Sequence, residues 1–129
     1  SYDESLTVIQ LAQLHNNRYL YKHKEIGAYK IIMGVQDRPI IEKFRLDMLG
    51  RLYQYDDLHG TDLVTFLRIY LEENGSTNKV SELQFIHRNT VLYKVNKISM
   101  ILDIDLSNAY TKTNLLLAFL IEDVLKRVH

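Results

Sequence analysis

The sequence predicts a mostly α-helical domain, a helical bundle containing a helix-turn-helix, with at most one short N-terminal strand. Three observations carry this expectation. Leu63, Phe66, Leu67, Tyr70 and Leu71 recur at i, i+3, i+4, i+7 and i+8, the stripe of an amphipathic helix. After Gly75 a short helical segment and a longer one are separated by a joint of three or four residues, the spacing of a helix-turn-helix. The 129 residues are 47% hydrophobic, with one proline, five glycines and no cysteine, a composition that packs a core and excludes disorder.

In order along the chain, residues 3–17 read as a helix, with Leu6, Ile9 and Gln13 on one face and Val8, Leu11 and Ala12 beside it. Arg18-Tyr19-Leu20-Tyr21-Lys22 has the content of a short strand. One strand cannot satisfy its own ladder groups, so either it pairs with something outside this chain or the segment is not a strand. A helix follows from about Glu25 to Val35. Asp37-Arg38-Pro39 opens the next, with proline in the first turn where its missing donor costs nothing, and it runs through Ile41, Phe44 and Met48 to a stop at Gly50.

Thr61 is the N-cap candidate of the helix beginning at Asp62, and Asn74-Gly75 stops that helix. Ser76-Thr77-Asn78 offers caps for a short helix reaching Leu83 or Gln84, which Phe85-Ile86 breaks. A longer helix runs from His87 to about Leu102, Asp103 to Asn108 form a polar loop, and a last helix runs from about Tyr110 to Arg127. Leu115 to Ile121 are apolar all round, so this stretch lies either in the core or in a dimer interface.

Sixteen Lys and Arg cancel sixteen Asp and Glu, so no whole-chain field draws the protein to nucleic acid or to an anionic membrane. The zero hides a split, because residues 1–75 hold 9 basic and 11 acidic groups while residues 76–129 hold 7 and 5. The absence of cysteine excludes disulfide scaffolds, thiolate zinc sites and thiol nucleophiles. The longest apolar run, Leu115 to Ile121, falls far short of the roughly twenty residues that cross a bilayer. Ser1-Tyr2-Asp3-Glu4 lacks the basic and apolar stretches of a signal peptide. These features lead to the expectation of a cytoplasmic protein, or a piece of one, with no membrane partner.

Set at about 100° per residue, Val91, Val95, Ile98 and Leu102 form a core-facing stripe. Asn89, Thr90, Tyr93, Asn96 and Lys97 gather opposite, and Arg88 and Lys94 flank the stripe. From Leu83 to Leu102 there are three cations, Arg88, Lys94 and Lys97, and no acid. These residue types suit the DNA major groove, since Asn pairs bidentately with adenine, Arg with guanine, and hydroxyls and helix N-termini with phosphate. A solvated helix face shows the same polar pattern, and that alternative stays open.

His87 stands at the N-cap, where its imidazole either caps the helix or bonds a phosphate. Arg88 and Asn89 in the first turn are the base-edge candidates. Thr90 contacts phosphate or bonds back within the helix, and Tyr93 touches phosphate or a thymine methyl, or else packs on the preceding helix. Lys94 and Lys97 are phosphate candidates, which carry no sequence information.

His87-Arg88-Asn89-Thr90-Val91-Leu92-Tyr93-Lys94-Val95 resembles the HRNT-x-x-YR-[LV] signature of the C-terminal helix-turn-helix of PucR/CdaR-type bacterial transcriptional regulators, the purine-catabolism and sugar-diacid regulators. Thr61 to Asn74 is similar to a helix of that family, Leu102 to Leu106 to its connector, and Leu115 to Leu120 to its closing helix. Ile26 to Tyr29 and Leu49 to Asp56 are similar to its upstream segments, so the resemblance covers about residues 25–127.

Two positions depart from the family pattern, Lys94 and Gln84, while Ser81 matches its small alanine. Lys94 keeps the charge of the usual arginine without its planar fork. Gln84 stands where leucine is usual, with Leu83 one place earlier, and Ser81 stands where a small alanine lets the helices approach.

The resemblance implies a winged-helix or homeodomain-like three-helix core plus extra helices. It implies a DNA-binding domain over residues 61–129, a helical connector over 25–60, and in residues 1–24 the remnant of an upstream GGDEF-like regulatory domain, which would explain the lone strand. Double-stranded DNA is the implied partner, bound by a homodimer, with a small-molecule effector sensed by regions outside this chain and with no cofactor.

The other titratable groups form no catalytic or metal constellation. His15, His23, His59 and His129 lack the spacing of zinc ligands. Asp56-Asp57-x-His59 precedes a helix start and reads as a capping turn, because adjacent aspartates face different sides. No nucleophile elbow, phosphate-binding loop or dinucleotide fingerprint occurs. The expectation is a non-enzymatic, sequence-specific DNA-binding domain; the alternative is a helical dimerisation or protein-interaction module.

Overall fold

The computed structural model describes residues 23–128, so the helix expected over 3–17 and the strand expected over 18–22 lie outside the described residues. Among the described residues there are six helices and no strand: α1 (His23–Met33), α2 (Arg38–His59), α3 (Leu63–Glu72), α4 (Thr77–Gln84), α5 (Arg88–Leu102) and α6 (Ala109–Val128). The described residues divide into two compact units, one made of residues 23–45 with 117–128, the other of residues 46–116.

In the first unit, Tyr29 and Ile32 of α1, Ile41 of α2, and Ile121, Val124 and Leu125 of α6 form one buried cluster. The apolar Leu115 to Ile121 run therefore serves a core: Leu115, Ala118, Phe119 and Ile121 are all buried. Tyr29 and Glu122 carry polar groups into this unit, each toward an opposite partner. Tyr29 Oη donates to Asp123 Oδ2 at 2.7 Å, and the buried Glu122 carboxylate lies 3.2 Å from Lys126 Nζ and 3.8 Å from Arg45 Nη1. Asp37 Oδ1 accepts from the Ile40 N–H at 3.3 Å and so opens α2, with Pro39 in the first turn as expected.

Gly50 is not the end of α2, contrary to the sequence expectation; the helix continues to His59. Glycine inside a helix costs about 0.5–1 kcal/mol, whereas Leu49 and Leu52 on either side of it are fully buried, each burial being worth about 1.5–3 kcal/mol. Packing outweighs propensity. The actual stop is Gly60, at φ +65°, where the N–H groups of Gly60 and Thr61 both donate to Asp56 O.

In the second unit, α3, α4 and α5 pack against one another pairwise, the three-helix core that the sequence predicts. Leu63, Val64, Phe66, Leu67 and Leu71 of α3, Val80 of α4, and Val91, Ile98 and Leu102 of α5 are buried. Thr61 does not cap α3. Asp62 occupies the N-cap position without a side-chain cap bond, and Asp56, from α2, supplies the missing acceptor through both carboxylate oxygens.

Candidate nucleic-acid interface

The second and third helices of this core meet at a turn that one serine closes. Ser76 Oγ starts α4 by accepting from the Lys79 N–H at 3.2 Å. At the other end, Ser81 O accepts from the N–H groups of Phe85 and Ile86, and Ser81 Oγ donates to Ile86 O at 2.6 Å. The position that the sequence reading singled out for smallness thus also supplies a hydroxyl, and that bond fixes the exit of the chain toward α5.

Between these anchors Phe85 adopts left-handed backbone angles, φ 56° and ψ 43°. A residue with a β-carbon is disfavoured there by roughly 1 kcal/mol. Its ring is 94% exposed.

His87 is the N-cap of α5. Its Nδ1 accepts from the Asn89 N–H at 3.0 Å, so of the two roles open to the imidazole the structure contains the cap. Val91 and Ile98 are fully exposed to nothing but protein, at 0% accessibility, and Leu102 is buried beside them, while Val95 is half-buried. The stripe read from the sequence is therefore the seam of α5.

The opposite face divides the candidate residues into two groups. Arg88, Asn89, Tyr93 and Asn96 are exposed, and Thr90 is half-buried. Tyr93, at 65% exposure, stands in solvent and does not pack into the preceding helix. Lys94 and Lys97 are half-buried and lean back: Lys94 Nζ lies 5.3 Å from the centroid of Phe66, and Lys97 Nζ lies 5.3 Å from that of Tyr55. The first turn thus gathers His87, Arg88 and Asn89 at one exposed end, while the two lysines are held against aromatic rings of α3 and α2.

Four contributors escaped sequence reasoning. The two rings beneath the lysines depend on contacts across helices, and the Ser81 hydroxyl and the left-handed Phe85 on bonds four and five residues along the chain, none of which periodicity encodes. Two of them left a trace in the sequence, Phe85 as a large apolar residue in the break between two helices and Ser81 as a small residue in the short helix before it.

Comparison with known proteins agrees with this architecture. The family described as the PucR C-terminal helix-turn-helix domain matches residues 63–121, from the start of α3 into α6. The chain is 31% identical over 119 residues to the proline-responsive transcriptional activator PutR of Bacillus subtilis (strain 168), an alignment covering 91% of this chain and 29% of that protein. It is 30% identical over 114 residues to the DNA-binding transcriptional activator AdeR of the same organism, covering 87% of this chain and 27% of that one. The chain thus spans under a third of the length of either relative. No solved structure matches it.

Proposed function

The chain belongs, through residues 63–121, to the PucR C-terminal helix-turn-helix family of transcriptional regulators, and from that premise we propose that α5 enters the DNA major groove and reads base edges with Arg88 and Asn89. The observation that carries this reading is the exposed first turn of α5, set on a helix whose opposite side is locked into the core by Val91 and Ile98. In a helix-turn-helix it is the N-terminal residues of the second helix that meet base edges. Tyr93 and Thr90 then lie along the groove wall toward phosphate, and Lys94 and Lys97 reach phosphates only by leaving their rings. His87 orients the first turn as its cap.

Two copies reading half-sites about 34–36 Å apart complete the proposal, acting in the cytoplasm as part of a longer regulator whose small-molecule effector is sensed outside these residues. The test is selection of binding sites from random duplexes by the 129-residue chain, followed by the same selection with Asn89→Ala. The expected result is an enriched motif for the wild type and relaxed preference at one base step for the variant, a loss of about 1–3 kcal/mol of discrimination. Failure to enrich any motif overturns the reading. The exposed side chains of Met100 and Tyr110 favour the second reading, a protein-interaction module; its mark is a partner complex that survives high salt while DNA binding is absent.

A further inference from the structure

Phe85 combines two unfavourable features that a purely structural turn residue has no reason to combine. Its backbone sits in the left-handed region, where glycine or asparagine is at ease, and its ring is the most exposed large apolar side chain among the described residues. The ring covers no core, because Val80 and Val91 on the flanking helices are sealed without it. Nor is its placement loose: the N–H groups of Phe85 and Ile86 and the carbonyl of Ile86 are all tied to Ser81. A clamped backbone that presents an apolar ring to water, two residues ahead of the cap of α5, is an outlier of the kind that collects at binding surfaces.

We infer that Phe85 is a specificity-determining residue that makes apolar contact with the 5-methyl group of a thymine in the major groove. The inference rests on the proposed reading of DNA by α5. Phenylalanine against a thymine methyl is a contact that discriminates thymine from cytosine without any hydrogen bond. Phe85, Arg88 and Asn89 are all exposed and lie within five residues of one another across the start of α5, so a base pair next to those they read is the natural place for that methyl. Removing one buried methyl contact is expected to weaken binding about three- to tenfold.

The experiment uses the 129-residue chain and the duplexes it selects, with each thymine replaced in turn by uracil, which lacks only the methyl group. Wild type is expected to lose three- to tenfold in affinity at one thymine per half-site. Phe85→Asn, which suits left-handed angles, is expected to bind the unmodified duplex more weakly, to show no further loss with uracil at that position, and to melt at the same or a higher temperature. Phe85→Gly serves as a second variant, with circular dichroism confirming its fold.

The inference is overturned if every uracil replacement is tolerated, if wild type and variant suffer the same uracil penalty, or if Phe85→Asn binds as tightly as wild type. If Phe85→Asn keeps its affinity while Asn89→Ala loses its preference, the role of Phe85 fails and the reading by α5 stands. If the wild type enriches no sequence, both fall together.

Discussion

Asp56 reaches from α2 to the start of α3, where Oδ1 accepts from the Leu63 N–H at 2.8 Å and Oδ2 from the Val64 N–H at 2.9 Å. Thr61 Oγ1 donates to the same Oδ1 at 2.6 Å. One carboxylate therefore satisfies two of the donors that every helix start leaves without intrahelical partners, and its charge complements the positive end of the helix. Asp56→Ala is expected to destabilise the domain by about 1–3 kcal/mol, whereas Asp57→Ala, on the exposed side, changes stability by less than about 0.5 kcal/mol. Urea denaturation of the two variants checks this; equal losses would contradict the assigned cap.

Gly50 inside α2 and Gly60 just past its end should respond to alanine with opposite signs. At Gly50 an added β-carbon meets nothing within 4 Å, and the helical backbone welcomes it, so Gly50→Ala is expected to stabilise by about 0.5–1 kcal/mol. At Gly60, with φ +65°, the same substitution strains the backbone and is expected to cost roughly 1 kcal/mol or more. Denaturation midpoints that shift in the same direction for both variants would refute this pairing.

Lys94 and Lys97 each have a ring to leave before they can meet a phosphate. If they do so on binding, Lys97→Ala weakens all duplexes alike and lowers the slope of log K against log salt by about one unit per contact removed. With Arg88 on base edges, the four lysines of a dimer give a slope of about −4, and only if Arg88 also meets phosphate does it steepen to about −5. Affinity measured by fluorescence anisotropy across a salt series decides it: unchanged slopes in Lys94→Ala and Lys97→Ala would leave both lysines as cations held by Phe66 and Tyr55.

Asp105 gives the loop after α5 an acid-sensitive bond. Its carboxyl is held below the usual carboxylate range, first by the Ser107 hydroxyl, which donates at 2.6 Å, and then by the Ser107 N–H at 2.9 Å. A carboxylate whose folded value is lowered contributes its stabilisation above the unfolded value and loses it as pH falls through the folded one. The Ser107 amide resonance is expected to titrate with a midpoint below that of a free aspartate and to stop titrating in Asp105→Asn. A midpoint at the free value would show that the two Ser107 bonds do not persist in solution.

The extent to which the sequence disclosed this arrangement follows from the range of the interactions involved. The seam of α5, the Ser76 cap, the break at Phe85 and the stop at Asn74-Gly75 are set by residues within one or two turns, and local pattern found them all. The end of α2 and the cap of α3 depend on Leu52 and Asp56 meeting residues that the periodicity of their own segment does not mention. At the candidate interface the first turn of α5 was legible because exposure there follows from helix phase alone. The resting positions of Lys94 and Lys97 were not, because long flexible side chains choose partners from neighbouring helices.

Three joints of the second unit hold a left-handed residue that is not glycine: Asn74, followed by the left-handed Gly75, before α4, Phe85 between α4 and α5, and Asp103 after α5. A glycine hinge would sit in the same angles more cheaply but would share them with many others. At the two joints that flank α5 the side chains of Phe85 and Asp103 narrow the allowed angles, and on the proposed reading that width sets the aim of α5. A helix of 15 residues is about 22 Å long, so a swing of about 10° at its Asp103 end carries the first turn roughly 4 Å, more than the ~3.4 Å step from one base pair to the next. On the proposed reading, stiff corners keep the helix in register with the base pairs.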